Sequence, residues 1–178
     1  MIHLKTDEEI EILRENNILV SRTLAEVGRH MRPGITTREL DKIAEDFIRA
    51  NGAIPACLGY EGYPAATCIS VNDQVVHGIP SDRVIKEGDI VSVDLCTLLK
   101  GFVGDSAYTF AVGEVSEEAK RLLAVTKEAL YKGTAQAKAG NRVGDISAAV
   151  QEYVESFGYG VVRELEEVGG QAVLGRQD

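Results

Sequence analysis

Two aspartates stand where the chain is otherwise apolar. Asp94 lies in Ile90-Val91-Ser92-Val93-Asp94-Leu95-Cys96, and Asp105 lies in the run from Phe102 to Val112. Aspartate is depleted in strands, so each position needs a reason. Lys100-Gly101, between the two runs, has the composition of a two-residue hairpin turn, which pairs Leu99 with Phe102. Asp94 then faces Ala107, and Asp105 lies two residues along on the same side as Asp94. Carboxylates held as diagonal neighbours repel and lose hydration unless a cation or proton sits between them. A divalent metal resolves that conflict directly. The competing arrangements are an aspartate turned to solvent and a bulge that separates the pair.

Two further stretches carry usable side chains. His77 sits in Val75-Val76-His77-Gly78-Ile79-Pro80, read as following a strand and preceding a proline-containing turn. A histidine there can donate to a substrate carbonyl or a developing oxyanion, or serve as an ordinary hydrogen-bonded loop histidine. The segment from Cys57 to Cys68 concentrates Cys57, Tyr60, Tyr63 and Cys68 around glycines. Such a loop can wall a small apolar pocket suited to a flexible thioether, or simply pack on the core.

The elements that must position these residues are legible in part. Thr6 with Glu9, and Thr36 with Glu39, have capping-box spacing and open two helices. The first shows Ile10, Leu13, Val20, Leu24, Val27 and Met31 at helical intervals and stops at Pro33-Gly34; the second shows Leu40, Ile43, Phe47 and Ile48 and stops at Gly52. Strands are predicted at Ala66–Val71, Ile90–Cys96 and Phe102–Val112, with turns at Asn72-Asp73 and Lys100-Gly101. Ser116 opens a long helix with Leu122, Leu123, Thr126, Ala129 and Leu130, ending near Gly140. A further helix holds Ile146, Ala149, Val150, Tyr153 and Val154 and ends at Gly158, after which Val161-Val162 begins a strand.

The chain repeats itself at an offset of 106 residues: Gly34 maps to Gly140, Glu39 to Asp145, Leu40 to Ile146, Phe47 to Tyr153, Ile48 to Val154, Gly52 to Gly158 and Leu24 to Leu130. Any two amphipathic helices of similar length align to some degree, but the glycines around them add to the match. The halves run over about 6–112 and 116–178 of a single domain, 1–178. The first helix pair is followed by the β-rich stretch from Ala53 to Val112, the second only by Tyr159 to Asp178. A helix pair without a sheet to cover exposes an apolar face, which favours self-association.

Composition bounds the function. With 178 residues, 44% hydrophobic and 26% charged, the chain reads as one globular α/β domain. A formal net charge of −9 without a Lys/Arg cluster argues against direct nucleic-acid binding. No apolar run approaches the roughly 18 residues of a membrane helix, and the first residues lack a secretory pattern. Cys57, Cys68 and Cys96 are an odd number without zinc-type spacing, so reduced thiols and a cytoplasmic location are expected.

The pocket loop, the segment Asn72-Asp73-Gln74-Val75-Val76-His77-Gly78-Ile79-Pro80, Asp94 with Gly104-Asp105, and Gly158-Tyr159-Gly160-Val161-Val162-Arg163-Glu164 occur together in one family. From the first helix to about Glu164 the chain resembles the bacterial-type methionine aminopeptidases, members of the pita-bread metallopeptidases. The resemblance implies a fold of two related αβ halves about a pseudo-twofold axis. It implies Asp94 and Asp105 as metal ligands, Asp94 bidentate to one ion and Asp105 bridging two. It implies His77 near the scissile bond, and Cys57, Tyr60, Tyr63 and Cys68 around the methionine side chain. The cofactors implied are divalent ions (cobalt, manganese, iron or zinc), normally two per site. The partners implied are N-terminal methionyl peptides or nascent chains, and the reaction removes N-terminal methionine by hydrolysis. Prolidase-like chemistry within the same fold is disfavoured by the Cys57/Tyr60/Tyr63/Cys68 loop.

After Glu164 the sequence departs from the family pattern. A Gly-His-Gly-Ile-Gly segment is expected there, and the chain reads Leu165-Glu166-Glu167-Val168-Gly169-Gly170 instead. His3, His30 and His77 are its only histidines, all before Asp105. Glu164, Glu166 and Glu167 do not match the family's glutamate ligands. The expectation is therefore a pita-bread half with the helices of the second half, lacking the C-terminal sheet segment and most metal ligands. Such a chain alone is expected to be weakly active or inactive. The alternative is a non-catalytic peptide-binding module or gene fragment of the same fold.

Overall fold

The computed structural model describes residues 4–162 and the strand residues 174–175. The departures from the family pattern at Glu164 and beyond lie outside the described residues. By compactness the chain divides between Val115 and Ser116.

In the first unit, helix α1 spans Asp7–His30 and helix α2 spans Thr37–Ala50. Both begin as their capping signals require. The Thr6 hydroxyl accepts from the Glu9 N–H at 3.2 Å while the Glu9 carboxylate accepts from the Thr6 N–H at 2.8 Å; Thr36 and Glu39 repeat the exchange at the same two distances. These bonds satisfy donors that a helix start leaves unpaired. The buried face of α1 is Asn16, Leu19, Val20, Thr23, Leu24 and Val27, whereas Ile10, expected on the apolar stripe, is exposed. α2 buries Thr37, Leu40, Ala44 and Ile48, with Ile43 and Phe47 packed at the margin.

The strands are β1 (Ile54–Pro55), β2 (Thr67–Val71), β3 (Ile90–Leu99) and β4 (Phe102–Ala111), with a short 3₁₀ turn at Tyr60–Gly62. All pair antiparallel with β3: β4 along its whole length, β2 at Val91 to Leu95, and β1 at Thr97 and Leu98. β4 occupies one edge of β3 throughout, so β1 and β2 share the opposite edge end to end. Strand β1 carries no periodic signal because it is two residues long. Side chains alternate across β3: Val91, Val93, Leu95 and Thr97 are buried, while Ser92, Asp94 and Cys96 are half-exposed. Val91, Val93 and Leu95 join Ile69, Val71 and the helix residues Val20, Val27, Leu40 and Ile48 in one core.

Close approach of α1 to the β3–β4 hairpin uses particular side chains. The fully buried Asn16 amide donates to the carbonyls of Thr97 at 3.0 Å and Phe102 at 2.8 Å, and accepts from the Thr97 hydroxyl at 2.6 Å. Gly104 sits against it; a Cβ there would lie 3.1 Å from the Asn16 amide.

The second unit contains α3 (Glu117–Thr134), α4 (Val143–Glu155) and the strand pair β5 (Gly160–Val161) and β6 (Leu174–Gly175). Val125, Ala129 and Val154 form its core, with Val150, Tyr153, Tyr159 and Val161 packed against them. α3 ends at Thr134, short of the expected end near Gly140, and its buried stripe is Val125, Ala129 and Gly133. The expected stripe residue Leu130 is 54% exposed, whereas Leu24, its counterpart in the repeat, is buried. Other repeat positions share local geometry. Gly34 and Gly140 have φ of 93° and 94°, and Gly52 and Gly158 have 78° and 80°. The Asp145 carboxylate accepts from the Arg142 N–H at 2.7 Å, as Glu39 does from Thr36.

Candidate metal and substrate site

The face of the sheet turned away from α1 and α2 carries the candidate residues. Leu99 pairs with Phe102 and Asp94 with Ala107, as the Lys100-Gly101 turn requires, with Lys100 at φ 52° and Gly101 at φ 84°. Asp105 pairs with Cys96, two residues from Asp94, so both carboxylates project from one face as diagonal neighbours. No bulge interrupts the register between them. Asp94 is half-buried and Asp105 exposed.

Across the other edge of β3, Asp94 pairs with Cys68, which puts Cys68 on the same face. The chain bends away after β1, and the Ala56 N–H donates to the Cys96 carbonyl at 2.9 Å. That bond fixes the start of the pocket loop beside Cys96. Thiol hydrogen bonds from Cys68 and then Cys96 push the Cys57 thiol down, and the nearby His77 acts in the same direction. Correspondingly, the Cys68 and Cys96 thiols are pushed up, first through their bonds to Cys57 and then by burial.

His77 stands in a loop rather than directly after a strand, since β2 ends at Val71. Its backbone is left-handed, at φ 56°, a conformation most side chains avoid. The next residue explains how the loop is held. Gly78 donates its N–H to the Ser70 hydroxyl at 3.1 Å, and its carbonyl accepts from the Ile69 N–H at 2.8 Å. A Cβ on Gly78 would lie 2.2 Å from the Ile69 carbonyl oxygen, so only glycine lets the loop lie this close to β2. The Tyr63 hydroxyl reaches the carbonyls of Thr67 at 3.1 Å and Gly78 at 3.2 Å, tying the pocket loop to the histidine loop. Burial, more than its contact with Cys68, pushes the Tyr63 phenol up, so it stays a neutral donor.

The structure therefore brings Cys57, Cys68, Tyr63 and His77 together beside the Asp94/Asp105 pair, while Tyr60 stands on the 3₁₀ turn at 70% exposure. Cys96, treated from sequence only as a reduced thiol, shares the face. Strand parity marks it, since it lies two residues from Asp94. Asp41 was also missed. It projects from α2, half-buried, and accepts from the Thr67 N–H at 2.8 Å and the Thr67 hydroxyl at 2.7 Å, clamping β2 from behind. Among the described residues no three His, Cys, Asp or Glu side chains converge as a cation site.

A profile of Metallopeptidase family M24 matches residues 11–171. The chain is 54% identical over 165 residues to a methionine aminopeptidase of Clostridium acetobutylicum, and 51% identical over 164 residues to methionine aminopeptidase 1 of Bacillus subtilis. Each match covers 92% of this chain and 66% of the relative, so the chain spans a little under two thirds of their length. The crystal structure of methionine aminopeptidase from Rickettsia prowazekii superposes with a TM-score of 0.91 at 35% identity, covering 100% of this chain and 75% of that one. With its pita-bread α/β architecture and two sheet aspartates, the chain belongs to metallopeptidase family M24, among the methionine aminopeptidases.

Proposed function

We propose that this chain carries the methionine-recognition face and two metal ligands of a methionine aminopeptidase. The observation that carries the reading is the placement of Asp94 and Asp105 on one face of β3–β4, beside the loops of Cys57 to Cys68 and of His77. Their carboxylate oxygens suit a hard divalent cation such as manganese, iron, cobalt or zinc, two ions per completed site. When bound, the ions supply Lewis-acid activation of water and of the peptide carbonyl. His77 donates to the carbonyl of the scissile bond. Cys57, Tyr60, Tyr63 and Cys68 wall a pocket for the N-terminal methionine, whose flexible thioether fits thiol and aromatic surfaces.

Metal hydrolases hold their ions with three or more protein ligands. With two carboxylates converging, weak metal binding and slow turnover by the chain alone are the reading's consequence. A non-catalytic module that binds methionyl peptides is the second reading, which the convergence of two rather than three ligands among the described residues favours. The natural substrates are nascent chains, for which a cytoplasmic location is apt; no described helix is long and apolar enough to cross a membrane. Leu130, Tyr131 and Val143, exposed in the second unit, support self-association through that helix pair.

The test is calorimetric titration of the full chain with manganese, alongside turnover of a methionyl tripeptide. Weak binding that Asp94→Asn and Asp105→Asn each abolish is the expected result. Binding indifferent to both substitutions overturns the ligand assignment, and turnover at the rate of an intact methionine aminopeptidase overturns the weak-activity reading. Peptide binding without turnover selects the module.

A further inference from the structure

We propose that Asp41 is a positioning residue for the methionine pocket: through Thr67 it sets the Tyr63 side chain, so the choice of N-terminal residue is governed in part from α2. Thr67 opens β2 and pairs with Leu95. Its backbone groups are bonded on the other side of the strand. The Asp41 Oδ1 atom accepts both the Thr67 N–H at 2.8 Å and the Thr67 hydroxyl at 2.7 Å. The Thr67 carbonyl accepts from the Tyr63 hydroxyl at 3.1 Å. In an antiparallel ladder alternate residues turn both backbone groups away from the neighbouring strand. Thr67 is such a residue, and the bonds that satisfy its outward groups link α2 to the pocket loop.

The Tyr63 phenol has one proton and two carbonyls within reach, that of Thr67 and, at 3.2 Å, that of Gly78. The Gly78 carbonyl also accepts from the Ile69 N–H at 2.8 Å, so that anchor stands without Asp41. The Thr67 anchor does not. Thr67 is at 0% exposure, and without Asp41 its N–H and hydroxyl must move to find another acceptor. Tyr63 then follows the Gly78 carbonyl alone, and the wall it offers to the methionine side chain moves with it. A linear thioether loses contact there, whereas a branched leucine side chain gains room. This role for Asp41 rests on the assignment of Tyr63 to the methionine pocket.

In the experiment the isotope-labelled full chain is titrated by NMR with a methionyl tripeptide and with a leucyl tripeptide of otherwise identical sequence. The ratio of the two Kd values is the readout, because a general loss of stability weakens both alike. Asp41→Ala should lower the preference for the methionyl peptide about tenfold, on the scale of the hydrogen bonds removed. In a Tyr63→Phe background the same substitution should change the ratio less than about twofold, since the hydroxyl through which Asp41 acts is gone. Asp41→Asn keeps one oxygen for both Thr67 bonds and should hold the parent ratio to within about twofold. Should Asp41→Ala not fold, Thr67→Val breaks the hydroxyl bond alone and should lower the ratio about threefold. An unchanged ratio in the variant that folds, an equal fall with and without the Tyr63 hydroxyl, or a fall in Asp41→Asn as large as in Asp41→Ala overturns the proposal. A parent chain without preference for the methionyl peptide refutes the pocket reading instead. The Tyr63 ring resonances then decide the linkage: Asp41→Ala or Thr67→Val should shift them, and their constancy overturns it.

Discussion

Replacing Asn16 by alanine tests how the hairpin that carries Asp94 and Asp105 is held. The Asn16 amide joins α1 to both strands of the hairpin, through the carbonyls of Thr97 and Phe102 and the hydroxyl of Thr97. Asn16 and Thr97 are both at 0% exposure, so the stranded groups cannot turn to bulk water. Each neutral buried group left without a partner costs about 1–3 kcal/mol. Both carbonyls belong to residues paired in the β3–β4 ladder, so their loss is mild; the Thr97 hydroxyl bears most of it. A water entering the vacated space recovers part of the loss. The expected destabilisation is about 3 kcal/mol, a large share of the roughly 5–15 kcal/mol that holds a domain folded.

The sequence contains no tryptophan, so urea unfolding is followed by far-UV circular dichroism. Because the chain forms two compact units that can unfold separately, hydrogen exchange of the β3 and β4 amides localises the effect. Those amides should exchange faster in Asn16→Ala. Adding Thr97→Val to Asn16→Ala removes the stranded hydroxyl, so the double variant should recover about 1 kcal/mol relative to additivity. A loss below about 1 kcal/mol, with unchanged exchange in the hairpin, would refute the claim that this network positions Asp94 and Asp105.

Gly78→Ala forces a Cβ against the Ile69 carbonyl, so the His77 loop should detach from β2; lost protection of the Ile69 amide in hydrogen exchange is the readout, and retained protection counts against it. Gly104→Ala should destabilise the parent chain but be better tolerated in Asn16→Ala, where the crowding amide is gone; equal cost in both backgrounds removes the contact from the account. The Asp41 carboxyl is raised, mainly by burial against its bonds to Thr67, so the folded state holds this proton more tightly than the unfolded chain. Its contribution to folding therefore grows as pH falls through the raised folded value, is complete below the unfolded one, and is lost as pH rises again; comparison with Asp41→Asn across acidic pH should show that slope in the parent only.

Much of the site was legible because strand parity and turn chemistry are local rules. Lys100-Gly101 fixes the hairpin register without reference to the rest of the fold, and the register alone puts Asp94 and Asp105 on one face. The capping boxes at Thr6 and Thr36 are equally local. What escaped depends on contacts far apart in sequence. Asn16 reads as a polar interruption on α1 until Thr97 and Phe102 are placed beside it. Asp41 reads as a solvated helix residue until β2 supplies Thr67. Strand β1 is too short for any period, yet it decides where Cys57 points. The stripe of α3 was misjudged for a related reason: leucines at helical spacing mark two adjacent faces, and packing against α4 selects Val125, Ala129 and Gly133.

These long-range contacts give the site a mechanical logic. The carboxylate pair sits on a hairpin whose opposite face is fastened to α1 by Asn16, while the pocket loop and the His77 loop are fastened to β2 by Tyr63 and Gly78. β2 is itself clamped to α2 by Asp41. Every group assigned a chemical role therefore lies on the β3–β4 hairpin, on β2 or in the loops fastened to β2. Like charges on adjacent strands are tolerable only if the scaffold resists their separation, and that resistance comes from the first unit. It follows that the first unit can present Asp94 and Asp105 in register whatever supplies the remaining ligands. In the proposed reading, metal affinity and peptide recognition are thus separable properties: the former scales with ligand number, whereas the proposed methionine pocket is built from the loops fastened to β2 and β3. Peptide binding that survives Asp105→Asn is the signature of that separation.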